Sequence, residues 1–124
     1  MNTYQDWMAF LAKAKVPSKG RPVLSLTGTR IKFYMPPNCT PRAMLTYHDT
    51  LLVEWQPTMT FFSNGGHMTQ TTKNRLNKYL PPTYYIRREQ DKWFLTNLGA
   101  SVHEELMPDF TIAFTHDGQL EWID

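Results

Sequence analysis

The sequence predicts one α+β domain: antiparallel β-hairpins in a twisted sheet, with an N-terminal helix and a mid-chain helix packed on it. Three observations carry this. Apolar residues alternate with a period of two in most segments and recur at helical spacing in only two. Clusters of Gly, Pro, Asn and Asp punctuate the chain at short intervals. A length of 124 residues suits one core, and halves of it are too small to bury useful cores.

The first helix rests on Tyr4, Trp7, Met8 and Leu11, spaced i, i+3, i+4, i+7. Thr3 and Asp6 fit a loose capping box. Its end is expected before Pro17, with Lys13 and Lys15 in the last turn. A basic loop, 17–22, follows. Residues 23–35 read as strand, with Ile31, Phe33 and Met35 on one face and a break at Gly28. A Pro-rich loop holds Cys39. Residues 43–56 form the longest strand candidate, kinked near His48-Asp49-Thr50, and Pro57-Thr58 turns the chain so that Val53 faces Phe62.

After Asn64-Gly65-Gly66, a helix over roughly 71–80 shows Thr72, Leu76, Tyr79 and Leu80 as its apolar stripe. Lys73, Arg75, Asn77 and Lys78 are expected on the opposite side, and Pro81-Pro82 stops the helix. Residues 84–96 read as a hairpin turning at Gln90-Asp91, pairing Ile86 with Leu95 and Arg88 with Trp93. Ser101-Val102-His103-Glu104 reads as a capping box for one short helical turn. The last hairpin, 110–122, takes a three-residue loop with Gly118 left-handed, pairing Phe114 with Leu120 and Ile112 with Trp122.

Composition excludes several classes. Apolar residues make up 41% and charged residues 19%, so the signature of disorder is absent. The lone Cys39 cannot form an internal disulfide, no apolar run reaches membrane-spanning length, and the N-terminus lacks the order of a signal peptide. The expectation is a cytoplasmic protein with no membrane, no cofactor and no metal, since no HxH, HExxH or CxxC spacing occurs. The net charge of +2 hides a split. Residues 1–97 carry all 13 Lys and Arg with five acids, a balance of +8; residues 98–124 carry six acids and no base, a balance of −6.

The most distinctive stretch runs from Gly65 to Asn77. Two glycines permit unusual backbone, and threonines then lead into a helix start, where free N–H groups and the macrodipole favour an anion. Lys73 and Arg75 sit in its first turns, where positive charge opposes the dipole unless an anion reverses the sign. The expected binding residues are Gly65, Gly66, His67, Thr69, Thr71, Thr72, Lys73, Arg75 and Lys78. Arg87, Arg88 and Lys92 join them from the 84–96 hairpin, where Tyr84, Tyr85, Trp93 and Phe94 interleave aromatics with cations. A solvated basic face on an ordinary capped helix is the competing explanation. There is no P-loop spacing. His67 is the best candidate for acid–base work, but no catalytic constellation surrounds it, and a non-enzymatic protein is expected.

The run Gly65-Gly66-x-x-Thr69-x-Thr71-Thr72-Lys73-x-Arg75-Leu76-Asn77, together with Thr46-Tyr47-His48-Asp49-Thr50 and Lys92-Trp93-Phe94-Leu95, resembles a recurring pattern in small bacteriophage-type proteins. The resemblance covers about residues 45–95. It implies a phage-like setting and a host-cytoplasm location, and short phage proteins either bind nucleic acid or disable a host factor. Two functions follow as expectations. One is an accessory binder of nucleic acid or a phosphate-bearing ligand at the basic helix start. The other is a protein-interaction module acting on a host protein, with Glu104, Glu105, Asp109, Glu121 and Asp124 imitating nucleic acid. Oligomeric state is open.

Overall fold

Two-residue and three-residue turns decide how this chain folds back on itself. The computed structural model describes residues 3–13, 21–22, 28–35, 37–38, 40–99 and 102–124. Helix α1 spans Tyr4–Leu11, and strands β1 (Arg21–Pro22) and β2 (Thr29–Tyr34) follow. Thr3 caps α1, its hydroxyl accepting from the Asp6 N–H at 3.1 Å. The helix stops at Leu11, so Lys13 lies beyond its last turn; Lys15 is outside the described residues.

The segment expected as one kinked strand is two. β3 (Arg42–Tyr47) and β4 (Thr50–Trp55) are joined by a tight turn with His48 at φ 46° and Asp49 at φ 67°. Both residues adopt the left-handed conformation that a two-residue hairpin demands and that Asn-Gly usually supplies. A bulge follows. Leu45 faces Val53 and Thr46 faces Leu51, leaving Leu52 as the extra residue. β5 (Met59–Ser63) continues the meander, with Val53 opposite Phe62 as expected.

Helix α2 spans Gln70–Tyr79. The hairpin β6 (Tyr84–Glu89) and β7 (Lys92–Asn97) pairs Ile86 with Leu95 and Arg88 with Trp93, as its spacing predicts. The helical turn expected at 101–104 is instead a strand, β8 (His103–Leu106), hydrogen-bonded to β7. The unpaired edge of β7 outcompetes a one-turn helix, and Ser101 lies outside the described residues. β9 (Thr111–Thr115) and β10 (Leu120–Ile123) close the chain, with Gly118 at φ 87°. Phe114 faces Leu120 as expected. A register shift then places Ile112 against Ile123, and Trp122 against Ala113 on the other face. Trp122 is therefore 44% exposed and is not a core residue.

The strands form a seven-stranded antiparallel sheet, β1-β2-β3-β4-β5-β9-β10, and a three-stranded one, β6-β7-β8. Both helices and the small sheet pack on one face of the large sheet. Trp7 of α1 meets Trp55 and Tyr79 with ring centroids 5.1 and 5.9 Å apart. Tyr84 meets Phe114 at 4.9 Å, and Trp93 meets Phe110 at 6.1 Å. These aromatic contacts join α1, α2 and both sheets into one core cluster with Leu45, Val53, Leu76 and Ile112. Among the described residues no helix is long and apolar enough to cross a membrane.

Candidate binding cleft at the start of α2

Asn64 builds the approach to α2. It is fully buried. Its amide donates to the Pro108 carbonyl at 2.8 Å, and its side-chain oxygen accepts from the Gly66 N–H at 3.0 Å. The chain then turns through Gly65 at φ 59° and Gly66 at φ 83°. A side chain at Gly65 would collide with the Thr50 methyl, so glycine is required there by conformation and by space. This contact sets the β3–β4 turn beside the loop that opens α2.

Thr69 is the N-cap, one position before the expected boundary. Its hydroxyl oxygen accepts from the Thr72 N–H at 3.2 Å, and its carbonyl accepts from the Lys73 N–H at 3.0 Å. Among the described residues the N–H groups of Gln70 and Thr71 have no partner. Beside them lies an open cleft of about 480 Å³ lined by Tyr47, His48, Thr50, His67, Thr69, Thr71 and Thr72. Four hydroxyls from threonine, one from tyrosine and two imidazoles thus surround a helix start with spare donors. Lys73 is half-buried in the first turn, and among the described residues no carboxylate pairs with it.

The structure brings His67, Thr69, Thr71 and Thr72 together in the cleft, with Gly65 and Gly66 shaping its entrance. It also adds Tyr47, His48 and Thr50. Sequence reasoning placed these three in a strand, and only recognition of His48-Asp49 as a hairpin turn would have brought them to this end of the molecule.

Arg75 is not on the solvent side of α2. It is 9% exposed, and its Nε–H donates to Thr29 Oγ1 at 2.8 Å while the guanidinium lies 4.2 Å from the centroid of the Tyr47 ring. It braces the wall of the cleft from behind, through Tyr47. Asn77 also faces a neighbour. Its amide nitrogen donates to the Ile86 carbonyl at 2.9 Å, and its oxygen accepts from the Ile86 N–H at 2.6 Å, tying α2 to β6.

The remaining cations lie elsewhere. Lys78 is in the last turn of α2, nine residues past the cap, roughly 13 Å along the axis. Arg87, Arg88 and Lys92 are exposed on the small sheet, each with a carboxylate at 3.4 Å: Glu89, Asp91 and Glu105 respectively. None of them lines the cleft. Of the acidic residues expected to imitate nucleic acid, Glu105 pairs with Lys92, while Glu104, Asp109, Glu121 and Asp124 are exposed. Among the described residues no three His, Cys, Asp or Glu side chains are grouped to hold a metal ion. No protein-family model, curated protein or solved structure matches the chain.

Proposed function

We propose that this chain is a small, non-enzymatic, phage-type accessory protein of the host cytoplasm that binds a phosphate-bearing ligand, free or within nucleic acid, at the start of α2. The observation that supports this reading is the open cleft against the unpartnered N–H groups of Gln70 and Thr71. A tetrahedral anion there accepts from those amides and from the threonine hydroxyls, and its charge compensates both the helix dipole and Lys73. Titration with inorganic phosphate and with a short oligonucleotide tests it. Thr71→Glu puts a carboxylate where the anion sits, and should lower affinity at least tenfold while leaving the helix as stable or more so. Affinity that is unchanged in Thr71→Glu and in Lys73→Ala overturns the reading.

A second reading has its own support. Glu104, Asp109, Glu121 and Asp124 are exposed, and among the described residues none has a basic partner. Such a surface suits a host protein with a basic face. Capture of that partner should then weaken when Glu104 and Glu121 are both replaced by Gln.

A further inference from the structure

Helix α2 ends against the β9–β10 turn, and a recess of about 240 Å³ opens between them, at the opposite end of α2 from the cleft. Its walls follow from the sheet register. Trp55 faces Thr60 and Thr60 faces Phe114, so these side chains share the core face of adjacent strands β4, β5 and β9. Phe62, on the same strand as Thr60, points the same way. Tyr79 enters from α2 with its ring centroid 5.8 Å from that of Trp55, and the Phe62 and Phe114 rings meet edge to face at 5.6 Å. Leu80, Pro81 and Pro82 close the side where the helix stops. Backbone hydrogen bonds fix these walls. The Leu80 N–H donates to the Leu76 carbonyl at 3.1 Å, that of Tyr84 to Pro81 at 2.9 Å, and that of His116 to Thr58 at 3.0 Å.

Two observations point to what fits. Tyr79 is only 5% exposed, yet among the described residues its hydroxyl has no hydrogen-bond partner. Buried polar groups are normally partnered. The hydroxyl is not sealed in, because among the described residues the sealed side-chain atom without a partner is Trp7 Nε1. The open space that Tyr79 lines is this recess. Burial raises the pKa of Tyr79, so its hydroxyl keeps the proton and can donate or accept. The second observation is charge. No Lys or Arg lines the recess, and the carboxylate at its rim, Asp117, already accepts from the Thr115 hydroxyl. His116 beside it is exposed. A phosphate finds no cation here.

We infer that this recess binds a small, neutral, bicyclic aromatic molecule, packed against Trp55, Phe62, Tyr79 and Phe114 and hydrogen-bonded to the Tyr79 hydroxyl. An enclosed apolar cavity of roughly 150 Å³ takes one benzene, so 240 Å³ suits a bicyclic ring system. Wall rings that already meet edge to face favour a further ring over an aliphatic chain. An apolar lining with one placed polar group is the usual design of a small-molecule site. The inference uses no residue of the α2 cleft and does not rest on the phosphate reading.

The test is isothermal titration calorimetry of the full chain with indole, whose N–H can donate to the Tyr79 oxygen, and with benzothiophene, which has the same shape without the N–H. Both should bind saturably. Tyr79→Phe keeps the ring, and should weaken indole about threefold to tenfold while leaving benzothiophene within about twofold. Thr60→Phe puts a ring into the recess from a partly exposed position, and should abolish binding of both in a protein whose amide NMR spectrum shows it folded. Should Thr60→Phe fail to fold, the Tyr79→Phe comparison still decides. Thr71→Glu, at the other end of α2, should leave indole affinity unchanged. Absence of saturable indole binding, full indole affinity in folded Thr60→Phe, equal weakening of both ligands in Tyr79→Phe, or loss of indole binding in Thr71→Glu each overturns the inference.

Discussion

The start of α2 and the β6–β7 hairpin look alike in sequence and differ in the structure. Both carry cations close together in sequence, and both read as anion-binding surfaces. On the hairpin, every one of Arg87, Arg88 and Lys92 has a carboxylate 3.4 Å away. At the helix start, Arg75 is consumed by packing, and Lys73 stands beside spare backbone donors. The lesson concerns compensation. A local count of cations does not report electrostatic potential when the neutralising acids arrive from a strand a dozen residues away, as Glu105 does.

The sharpest way to break this contrast is Arg75→Ala. If Arg75 is a brace, its loss removes the buried hydrogen bond to Thr29 and uncovers the Tyr47 ring, and should cost about 3 kcal/mol in urea unfolding. Retained stability with lost phosphate binding would place Arg75 in the site instead. Asn77→Ala comes next. It leaves both backbone groups of Ile86 without their partner and should cost about 2 kcal/mol, with amide exchange in β6 accelerating first. Tyr79 gives a pH readout between the two regions. Burial raises its pKa, and the nearby Arg75 charge lowers it by less. The unfolded chain then releases the proton first, so this stabilisation is full below about pH 10 and declines as pH rises further. Tyr79→Phe should abolish that decline in alkaline unfolding curves, and an unaltered slope would count against the burial argument.

Much of the fold was legible because turn and pattern signals agreed. Phe62 opposite Val53, Ile86 opposite Leu95 and Phe114 opposite Leu120 all follow from alternation plus a tight loop. The failures share one cause. Where a bulge or an unexpected turn adds one residue, parity inverts, and periodicity alone cannot show it. Leu52 shifts β4 in this way, and the shift between Leu120 and Trp122 turns Trp122 outward. His48-Asp49 carries no glycine, so nothing local announced two consecutive left-handed residues. For the cleft, the glycines and the threonine cap were visible, whereas Tyr47, His48 and Thr50 depend on a contact between Thr50 and Gly65 that lies fifteen positions away in sequence. Arg75 was misassigned because a long charged side chain can lie over an apolar face and still look solvent-directed in a helical projection.

The smaller effects discriminate most cleanly, because they leave the fold intact. Lys73→Ala should stabilise ligand-free protein by about 0.3–1 kcal/mol, since it removes a cation from the positive end of α2, and should weaken phosphate binding; opposite signs in one variant are hard to obtain unless an anion site is present. Lys92→Ala is the matching control on the hairpin. Its own side chain is largely solvated and its partner Glu105 is partly exposed, so an effect of only a few tenths of a kcal/mol on stability is expected. Because Glu105 already neutralises it, phosphate affinity should not move. A phosphate affinity that fell as far in Lys92→Ala as in Lys73→Ala would mean that the hairpin cations act at long range despite their pairing, and the distinction between the two regions would fail at its electrostatic root.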